Sequence, residues 1–286
     1  MTAYRTIQVD GSEVFYREGG DGAATALLLL HGFPSSSGQY QALMEHLEGR
    51  YHVIAPDYPG FGRSAPLEGT TTFDRIADVI DGFADAKGLD SVWLYMFDFG
   101  SPVGFRLATR HPGRVQGLVL QNGNAYEEGL GQGMQALEPY WDDRSANEDA
   151  IRGFLQLAAT RSQYLDGVGD AATVNPDLWE LDQRYLEMPG RDEVMLDLLY
   201  DYQNNVKLYP RWHEYLRANQ PPALLPWGEN DLFFPPAGAR AYLQDLPDAE
   251  LHLLDTGHFA TATHSAEIAD LIAGFVEAHV TERHHA

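Results

Sequence analysis

The chain has 286 residues, of which 44% are hydrophobic and 21% are charged. These proportions are typical of a folded globular protein, and they exclude a fibrous or largely disordered chain. Nineteen basic residues against 42 acidic ones give a net charge of -23, which repels the phosphates of nucleic acids and the surface of anionic membranes. We therefore expect neither nucleic acid nor a membrane as a partner.

Cysteine is absent, which excludes disulfides, thiolate metal sites and a cysteine nucleophile. The first twenty residues lack a basic segment followed by an apolar one, and the longest apolar run, AATALLLL, is too short to span a bilayer. We expect a cytoplasmic protein without a cofactor or metal. His284 and His285 are interpreted as part of a frayed tail rather than as metal ligands.

Short apolar segments alternate with longer segments of helical period from Ala26 to His279. That alternation predicts a parallel β-sheet with helices on both faces, and two earlier segments predict an antiparallel pair at its edge. The predicted strands lie at residues 6–11, 13–20, 26–32, 52–58, 91–98, 115–123, 221–231 and 249–258. The predicted helices between and after them lie at residues 39–49, 73–86, 100–110 and 265–278.

Between residues 124 and 220 the strand pattern stops. This segment is rich in tyrosine and has helical period, as in EDAIRGFLQLAATRSQYL and RDEVMLDLLYDYQNNV. It is too long and too periodic for a loop. The sequence thus predicts an α/β fold in which residues 1–123 and 221–286 form the core domain and residues 124–220 form an inserted helical cap.

Five short motifs lie near the ends of predicted strands: HGFP at 31–34, DYPGFGRS at 57–64, MFDFG at 96–100, WGEND at 227–231 and GHF at 257–259. In the third motif Asp98 stands between a strand and a helix, where open parallel sheets present their reactive groups. The Gly-x-Ser-x-Gly elbow exposes its nucleophile by the same geometry. Together, the motifs resemble the α/β-hydrolase superfamily, in particular its aspartate-nucleophile branch of epoxide hydrolases and haloalkane dehalogenases.

The resemblance implies that Asp98 is the nucleophile, His258 the general base and Asp231 the acid that orients the histidine. It also implies an oxyanion hole formed by the backbone N–H groups of Phe33 and Phe99. A carboxylate that attacks a saturated carbon forms an alkyl ester, which activated water can hydrolyse. We therefore expect a hydrolase of small apolar organic substrates. Helix capping is the alternative role for Asp98, and a helix cap or a turn is the alternative for Asp231.

The leaving group distinguishes the two activities of this branch. An epoxide oxygen needs a proton, which two cap tyrosines supply in epoxide hydrolases; dehalogenases hold halide by side-chain N–H groups, and this chain has Phe33 and Phe99 at the usual positions. Tyr202 lies in a segment similar to the Tyr-Arg-Asn of epoxide hydrolases, and Tyr140 lies about where the second tyrosine is expected. We expect an epoxide hydrolase that gives a vicinal diol. The alternatives are a haloalkane dehalogenase or another α/β-hydrolase, and a non-catalytic small-ligand receptor on the same fold.

Four further residues leave questions open. Met96 replaces the usual small residue at the elbow, and Gln203 replaces the usual arginine in the cap segment, so the substrate is not specified. Asn124 occupies an alternative acid site used by some relatives. His31 is interpreted as a structural histidine beneath the oxyanion loop rather than as a base.

Overall fold

The computed structural model describes residues 1–283, with side chains up to residue 280. Within these residues eight strands form one sheet. The strands are β1 (Ala3–Val9), β2 (Ser12–Gly19), β3 (Ala26–Leu30), β4 (His52–Pro56), β5 (Val92–Phe97), β6 (Val115–Gln121), β7 (Ala223–Gly228) and β8 (Glu250–Leu254). Their order across the sheet is β1-β2-β4-β3-β5-β6-β7-β8. The β1–β2 and β2–β4 pairs are antiparallel and the others are parallel, as the sequence predicted.

Helices cover both faces of this sheet and fill the long connection between β6 and β7. They are α1 (Gln41–Leu47), α2 (Phe73–Ala86), α3 (Gly100–Arg110), α4 (Gln132–Gln135), α5 (Glu138–Asp142), α6 (Arg144–Ile151), α7 (Leu157–Leu165), α8 (Asp177–Leu186), α9 (Arg191–Asn219), α10 (Pro236–Ala241) and α11 (Thr261–Arg283). Helix α11 departs from helical geometry at His264. No helix within residues 1–283 has the length and apolar character needed to cross a membrane.

The core has two halves, one on each face of the sheet, because successive side chains of a strand point to opposite faces. In β3, Leu28 and Leu30 pack in the cluster that contains α2 and α3. Their neighbours Leu27 and Leu29 pack in the cluster that contains α1 and α11. A strand of five apolar residues is therefore buried on both sides, which confirms the predicted α/β fold.

The insert, residues 124–220, is helical. Its long helix α9 is hydrogen-bonded to the start of α2. The carboxylates of Asp197 and Asp201 accept the backbone N–H groups of Thr71 and Phe73 at the start of α2, each at 2.8 Å. These bonds satisfy N–H groups that have no partner within a helix. The contact brings α9 over the carboxyl ends of the strands. That the insert is a separate cap domain stays a prediction.

Candidate active site

The turn between β5 and α3 holds Asp98 in a strained backbone conformation. Its φ is +48°, in the left-handed region that few residues other than glycine adopt. Close contacts surround the turn: a Cβ at Gly100 would lie 2.1 Å from the carbonyl oxygen of Leu30, and a Cβ at Gly32 would lie 2.4 Å from the Cβ of Asp98. Glycine is therefore required at both positions. The strand-turn-helix geometry expected around Asp98 is present.

A glycine on the following helix leaves room for the side chain of Met96, the bulky residue at the elbow. Its side chain is fully buried at the end of β5. A Cβ at Gly104 of α3 would lie 2.3 Å from the Met96 sulfur, so the thioether occupies the volume that a side chain at this position would need. The larger residue in the strand is thus compensated by a missing side chain in the helix.

The two oxygens of the Asp98 carboxylate have different surroundings. Oδ1 accepts the backbone N–H of Phe33 at 2.6 Å, whereas Oδ2 lies 3.6 Å from Nε2 of His258. Burial raises the pKa of Asp98 to about 6, although the charge of His258 and the N–H groups of Phe33 and Phe99 favour the ionised form. One oxygen is therefore held by the backbone, and the other faces the histidine.

His258 is joined to Asp231 by a short hydrogen bond between Nδ1 and Oδ2, at 2.7 Å. Burial disfavours the imidazolium, but the charge and hydrogen bond of Asp231, together with the charge of Asp98, raise the pKa of His258 above its usual value. Asp231 also accepts the N–H of Phe233 through Oδ1 at 2.7 Å, and the cap position of α10 is occupied by Pro235 instead. Asp231 therefore bonds the histidine and also forms a local turn with Phe233, and it does not cap α10.

Sequence reasoning missed Asn122, which supports Asp231. It follows β6 with a φ of +43°, and its Nδ2 donates to Oδ2 of Asp231 at 2.8 Å. Its Oδ1 accepts the N–H of Gly228 at 2.8 Å, and its backbone carbonyl accepts the N–H of Asp98 at 3.2 Å. Asn122 directly follows the carboxyl end of β6, as Asp98 directly follows that of the neighbouring strand β5. A polar residue in this position was the sequence signal that could have identified it. The side chain of Asn124 bonds the backbone of Tyr126 and the hydroxyl of Tyr209.

His31 lies beneath the oxyanion loop and remains neutral. Its Nε2 accepts the N–H of Tyr58 at 3.1 Å, and the two rings stack with centroids 4.0 Å apart. Burial lowers the pKa of His31 to about 3. An unprotonated imidazole that joins the loops after β3 and β4 agrees with the structural role expected for it.

Aromatic side chains face Asp98 from the insert. The buried ring of Tyr202 lies 6.0 Å from that of Phe99, 5.9 Å from Phe73 and 6.3 Å from Trp141. Its hydroxyl meets no partner at strict hydrogen-bond geometry among the described residues, but it lies close enough to the Tyr209 hydroxyl for the two to interact. The Tyr209 hydroxyl in turn accepts from Nδ2 of Asn124 at 3.2 Å. Burial, the nearby Tyr209 hydroxyl and the charge of Asp98 all raise the pKa of Tyr202, so the hydroxyl keeps its proton.

The second predicted tyrosine has a different environment. The hydroxyl of Tyr140 donates to the carbonyl of Leu196 at 3.2 Å, and its ring packs against Tyr200 at 5.6 Å. Of the two tyrosines, the structure thus packs Tyr202 against the residue after Asp98 and Tyr140 against the outer part of α9. Gln203 bonds the carbonyl of Tyr200 within its own helix.

A bound halide would need N–H donors, and the nearby indole is already used. Trp141 donates its Nε1–H to the carbonyl of Leu199 at 2.8 Å. For metals, the structure of residues 1–283 shows no group of three or more histidine, aspartate or glutamate side chains arranged to hold an ion. His284 and His285 lie outside the described residues.

Comparisons with known proteins identify the family of this fold. The family model of the α/β hydrolase fold matches residues 25–265. An uncharacterised hydrolase of Saccharomyces cerevisiae is 41% identical over 285 residues, covering 97% of this chain and 98% of the relative. A haloalkane dehalogenase of Bradyrhizobium diazoefficiens is 36% identical over 116 residues, covering 41% of this chain and 37% of the relative.

Solved structures show the same fold. The crystal structure of a haloalkane dehalogenase from Bradyrhizobium elkani aligns with a TM-score of 0.70 at 23% identity, covering 97% of this chain and all of that one. The match of the family model to most of the chain and the full-length similarity to the yeast hydrolase together decide the family. The chain belongs to the α/β-hydrolase superfamily and is a hydrolase with haloalkane dehalogenases among its relatives.

Proposed function

We propose that this protein is a cofactor-independent epoxide hydrolase that forms a covalent alkyl ester on Asp98 and releases a vicinal diol. The observation that supports it best is that the two oxygens of the Asp98 carboxylate have different surroundings. Its Oδ1 is bound by the backbone N–H of Phe33, and its Oδ2 faces His258. A carboxylate held in this way can attack with one oxygen while the other waits in the oxyanion hole.

In the first step Oδ2 of Asp98 attacks a saturated carbon of the epoxide. The new Oδ2–carbon bond replaces the carbon–oxygen bond of the ring, and the ring oxygen takes the proton of the Tyr202 hydroxyl. A carboxylate at an acyl carbon would instead give a labile anhydride, which argues against ordinary ester hydrolysis.

In the second step His258 takes a proton from a water molecule, which attacks Cγ of the Asp98 ester. Oδ1 becomes the oxyanion and is stabilised by the N–H groups of Phe33 and Phe99. The intermediate then breaks its bond from Cγ to Oδ2, and the departing diol oxygen takes the proton that His258 held. Asp98 is left as a carboxylic acid carrying the second proton of the water; it releases this proton to solvent and is again a carboxylate, and Tyr202 regains a proton from solvent. Asp231 stabilises the imidazolium in between.

The choice of an epoxide rests on the side chains above Asp98. Tyr202 has a protonated hydroxyl, near that of Tyr209, on a ring that packs against Phe99, whereas Phe33 and Phe99 carry no side-chain N–H for a halide. The surrounding rings, among them Phe73 and Trp141, favour a small apolar substrate. A haloalkane dehalogenase is the second candidate because one relative carries that name.

The test is intact-protein mass spectrometry of a His258→Gln variant incubated separately with styrene oxide and with 1-bromobutane. Because the base acts only in the second step, we expect the variant to gain the mass of the epoxide on the peptide that contains Asp98. An Asp98→Ala, His258→Gln double variant should gain nothing, and a variant of the exposed residue His46, His46→Gln, should turn over like wild type.

Each result decides between the candidates. An adduct with the haloalkane alone replaces the epoxide hydrolase with the dehalogenase. Turnover of a substrate by wild type without any adduct in the His258→Gln variant indicates direct attack by water. Binding without turnover of either class supports a small-ligand receptor.

A further inference from the structure

A buried carboxyl group connects the insert to the loop of the oxyanion hole. Asp182 lies on α8, and only 3% of its surface is exposed. Its Oδ1 accepts the hydroxyl of Ser35 at 3.2 Å, and its Oδ2 accepts a short hydrogen bond from the hydroxyl of Tyr164 on α7. Burial, reinforced by the charge of Asp57, raises the pKa of Asp182 to about 7.

This arrangement requires a carboxyl rather than an amide. Burying a carboxyl between uncharged donors is unfavourable, since no cation balances its charge when it ionises. An asparagine at position 182 would avoid that cost but has a single acceptor oxygen, so it would lose the arrangement in which Ser35 and Tyr164 each bond a separate oxygen. Asp182 therefore accepts hydrogen bonds from two hydroxyl groups at once, one on each carboxyl oxygen.

The two hydroxyl groups lead to the two loops that serve Asp98. Ser35 donates its N–H to the carbonyl of Gly32 at 3.0 Å, so it belongs to the same turn as Phe33, whose N–H binds Asp98. The ring of Tyr164 stacks on Phe259, with centroids 3.9 Å apart and planes 14° apart. Phe259 directly follows His258 in the chain.

We propose that Asp182 is a positioning residue, which holds the oxyanion donor Phe33 and the base His258 in place through Ser35 and Tyr164. It touches neither substrate nor the reacting atoms. The effect expected on each chemical step rests on the proposed function, whereas the effect on the two loops does not.

Both groups that Asp182 positions serve the hydrolysis of the ester. The N–H of Phe33 stabilises the oxyanion, and His258 activates the water, whereas formation of the ester uses the Asp98 carboxylate itself. At a pH well above the pKa of Asp98, where the carboxylate stays ionised, weakening the bond from Phe33 does not make it a poorer nucleophile, because the bond stabilises its charge. Loss of Asp182 should therefore slow the second step and leave the first nearly unchanged.

A neighbouring hydrogen bond provides the control. Thr160 on α7 donates its hydroxyl to the side chain of Gln183 on α8 at 2.9 Å, and both residues are buried. This bond joins the same two helices as Tyr164 and Asp182 but remains within the insert. Thr160→Val removes it at nearly constant volume, so it reproduces any general loosening of α7 against α8.

The first measurement is amide hydrogen exchange in the peptides that carry Phe33 and His258. We expect Asp182→Ala to raise exchange in both peptides on the order of tenfold, Asp182→Asn to raise it less, and Thr160→Val to leave it unchanged. If Asp182→Ala fails to fold, Asp182→Asn provides the comparison. Equal exchange in the Asp182 and Thr160 variants overturns the proposal, whatever reaction the protein catalyses.

The second measurement is single-turnover mass spectrometry with styrene oxide. For Asp182→Ala we expect ester hydrolysis to slow about tenfold and ester formation to change less than twofold, since a small displacement of a catalytic group has a large kinetic effect. Equal slowing of both steps, or none, overturns the proposal. If His258→Gln also forms no adduct, the covalent mechanism is wrong. The positioning role of Asp182 is then tested by hydrogen exchange alone.

Discussion

The strand-end loops and the insert contribute to the site in different ways. At the strand ends, hydrogen bonds fix the reacting groups: Asp98 is held by Phe33, and Asp231 by Asn122 and His258. Across the site, the Tyr202 hydroxyl of the insert is unpaired at hydrogen-bond geometry within residues 1–283. The sheet thus presents a preorganised charge, and the insert presents aromatic surface with a donor left for the substrate. Under the proposed function, the strand-end loops perform the chemistry and the insert selects the reaction.

Asp98→Ala gives the largest expected effect, because it removes the group that forms the covalent bond. We expect a loss of about 10⁴-fold or more in kcat with the fold intact, measured by steady-state kinetics and circular dichroism. Asp90 lies exposed before the opposite end of β5, so Asp90→Ala is the matched control and should retain full activity. Normal turnover by Asp98→Ala would show that the strand-end loops do not supply the nucleophile.

The pH dependence separates the two steps. Ester formation needs ionised Asp98, whose pKa is raised to about 6, so its rate should fall about tenfold for each pH unit well below 6. Ester hydrolysis needs neutral His258, whose pKa is raised, so its rate should rise with pH until above the usual histidine range. Alkylation removes the charge of Asp98, which is one cause of the raised pKa of His258. The midpoint of the pH profile for ester hydrolysis should therefore lie below the pKa of His258 in the free enzyme.

Rapid-quench mass spectrometry at a series of pH values measures both profiles in wild type. A rate of ester hydrolysis that falls as pH rises would contradict the assignment of His258 as a base. An ester-formation rate independent of pH between 4 and 7 would contradict the raised pKa of Asp98.

Tyr202→Phe tests the contribution of the insert. We expect epoxide turnover to fall about tenfold or more, because the phenyl ring cannot protonate the opening ring oxygen, while halide release changes little. The free energy of unfolding should be retained, since the lost hydroxyl has no partner at hydrogen-bond geometry within the described part of the chain. Tyr140→Phe should show the opposite pattern, because it loses the bond to Leu196 and about 1 kcal/mol of stability.

Kinetics with a matched epoxide and haloalkane, together with urea denaturation, distinguish these outcomes. Tyr200→Phe on the same helix is the control for a tyrosine that packs away from Phe99. If Tyr140→Phe loses as much epoxide activity as Tyr202→Phe, the pair of acids predicted from the sequence is favoured after all.

Much of the fold follows from local sequence. Helices α2 and α3 begin and end at the predicted residues, because their apolar spacing is bounded by Thr72 as a cap and by His111 beyond the last turn. Strand β6 ends two residues earlier than predicted, since Asn122 turns into the left-handed region. The predicted α1 begins instead with a 3-10 turn at Ser37–Tyr40. Local patterns thus locate elements better than they locate the turns between them.

The strand ends of the site were equally accessible to sequence reasoning. Asp98, Asp231 and His258 come together because the carboxyl ends of parallel strands meet at one edge of the sheet. The partners of Tyr140 and Asp182 were not accessible. They depend on how α7, α8 and α9 pack against each other and against the loop of Ser35, and helical period alone does not specify that packing.

The smallest expected effect on activity concerns the packing behind the elbow, where a substitution should act on stability. Gly104→Ala places a Cβ 2.3 Å from the sulfur of Met96 and 2.7 Å from its Cγ, inside a fully buried contact. Overpacking of this kind costs about 1–3 kcal/mol, which exceeds the gain of up to about 1 kcal/mol from replacing a helical glycine. Urea denaturation should show the loss. Gly274→Ala on α11, where no atom lies within 4 Å of the added Cβ, should be neutral or stabilising.

The double variant Met96→Ala, Gly104→Ala decides whether the two residues compensate each other. Met96→Ala alone opens a cavity and should cost about 2–5 kcal/mol, and the methyl group that Gly104→Ala adds refills part of that space. We therefore expect the double variant to lose less free energy of unfolding than the two single variants together, because contacting residues are not additive. Additive losses would show that Met96 and Gly104 act independently. The methionine at the elbow would then be accommodated by the glycines next to Asp98, Gly32 and Gly100, and not by the missing side chain at Gly104.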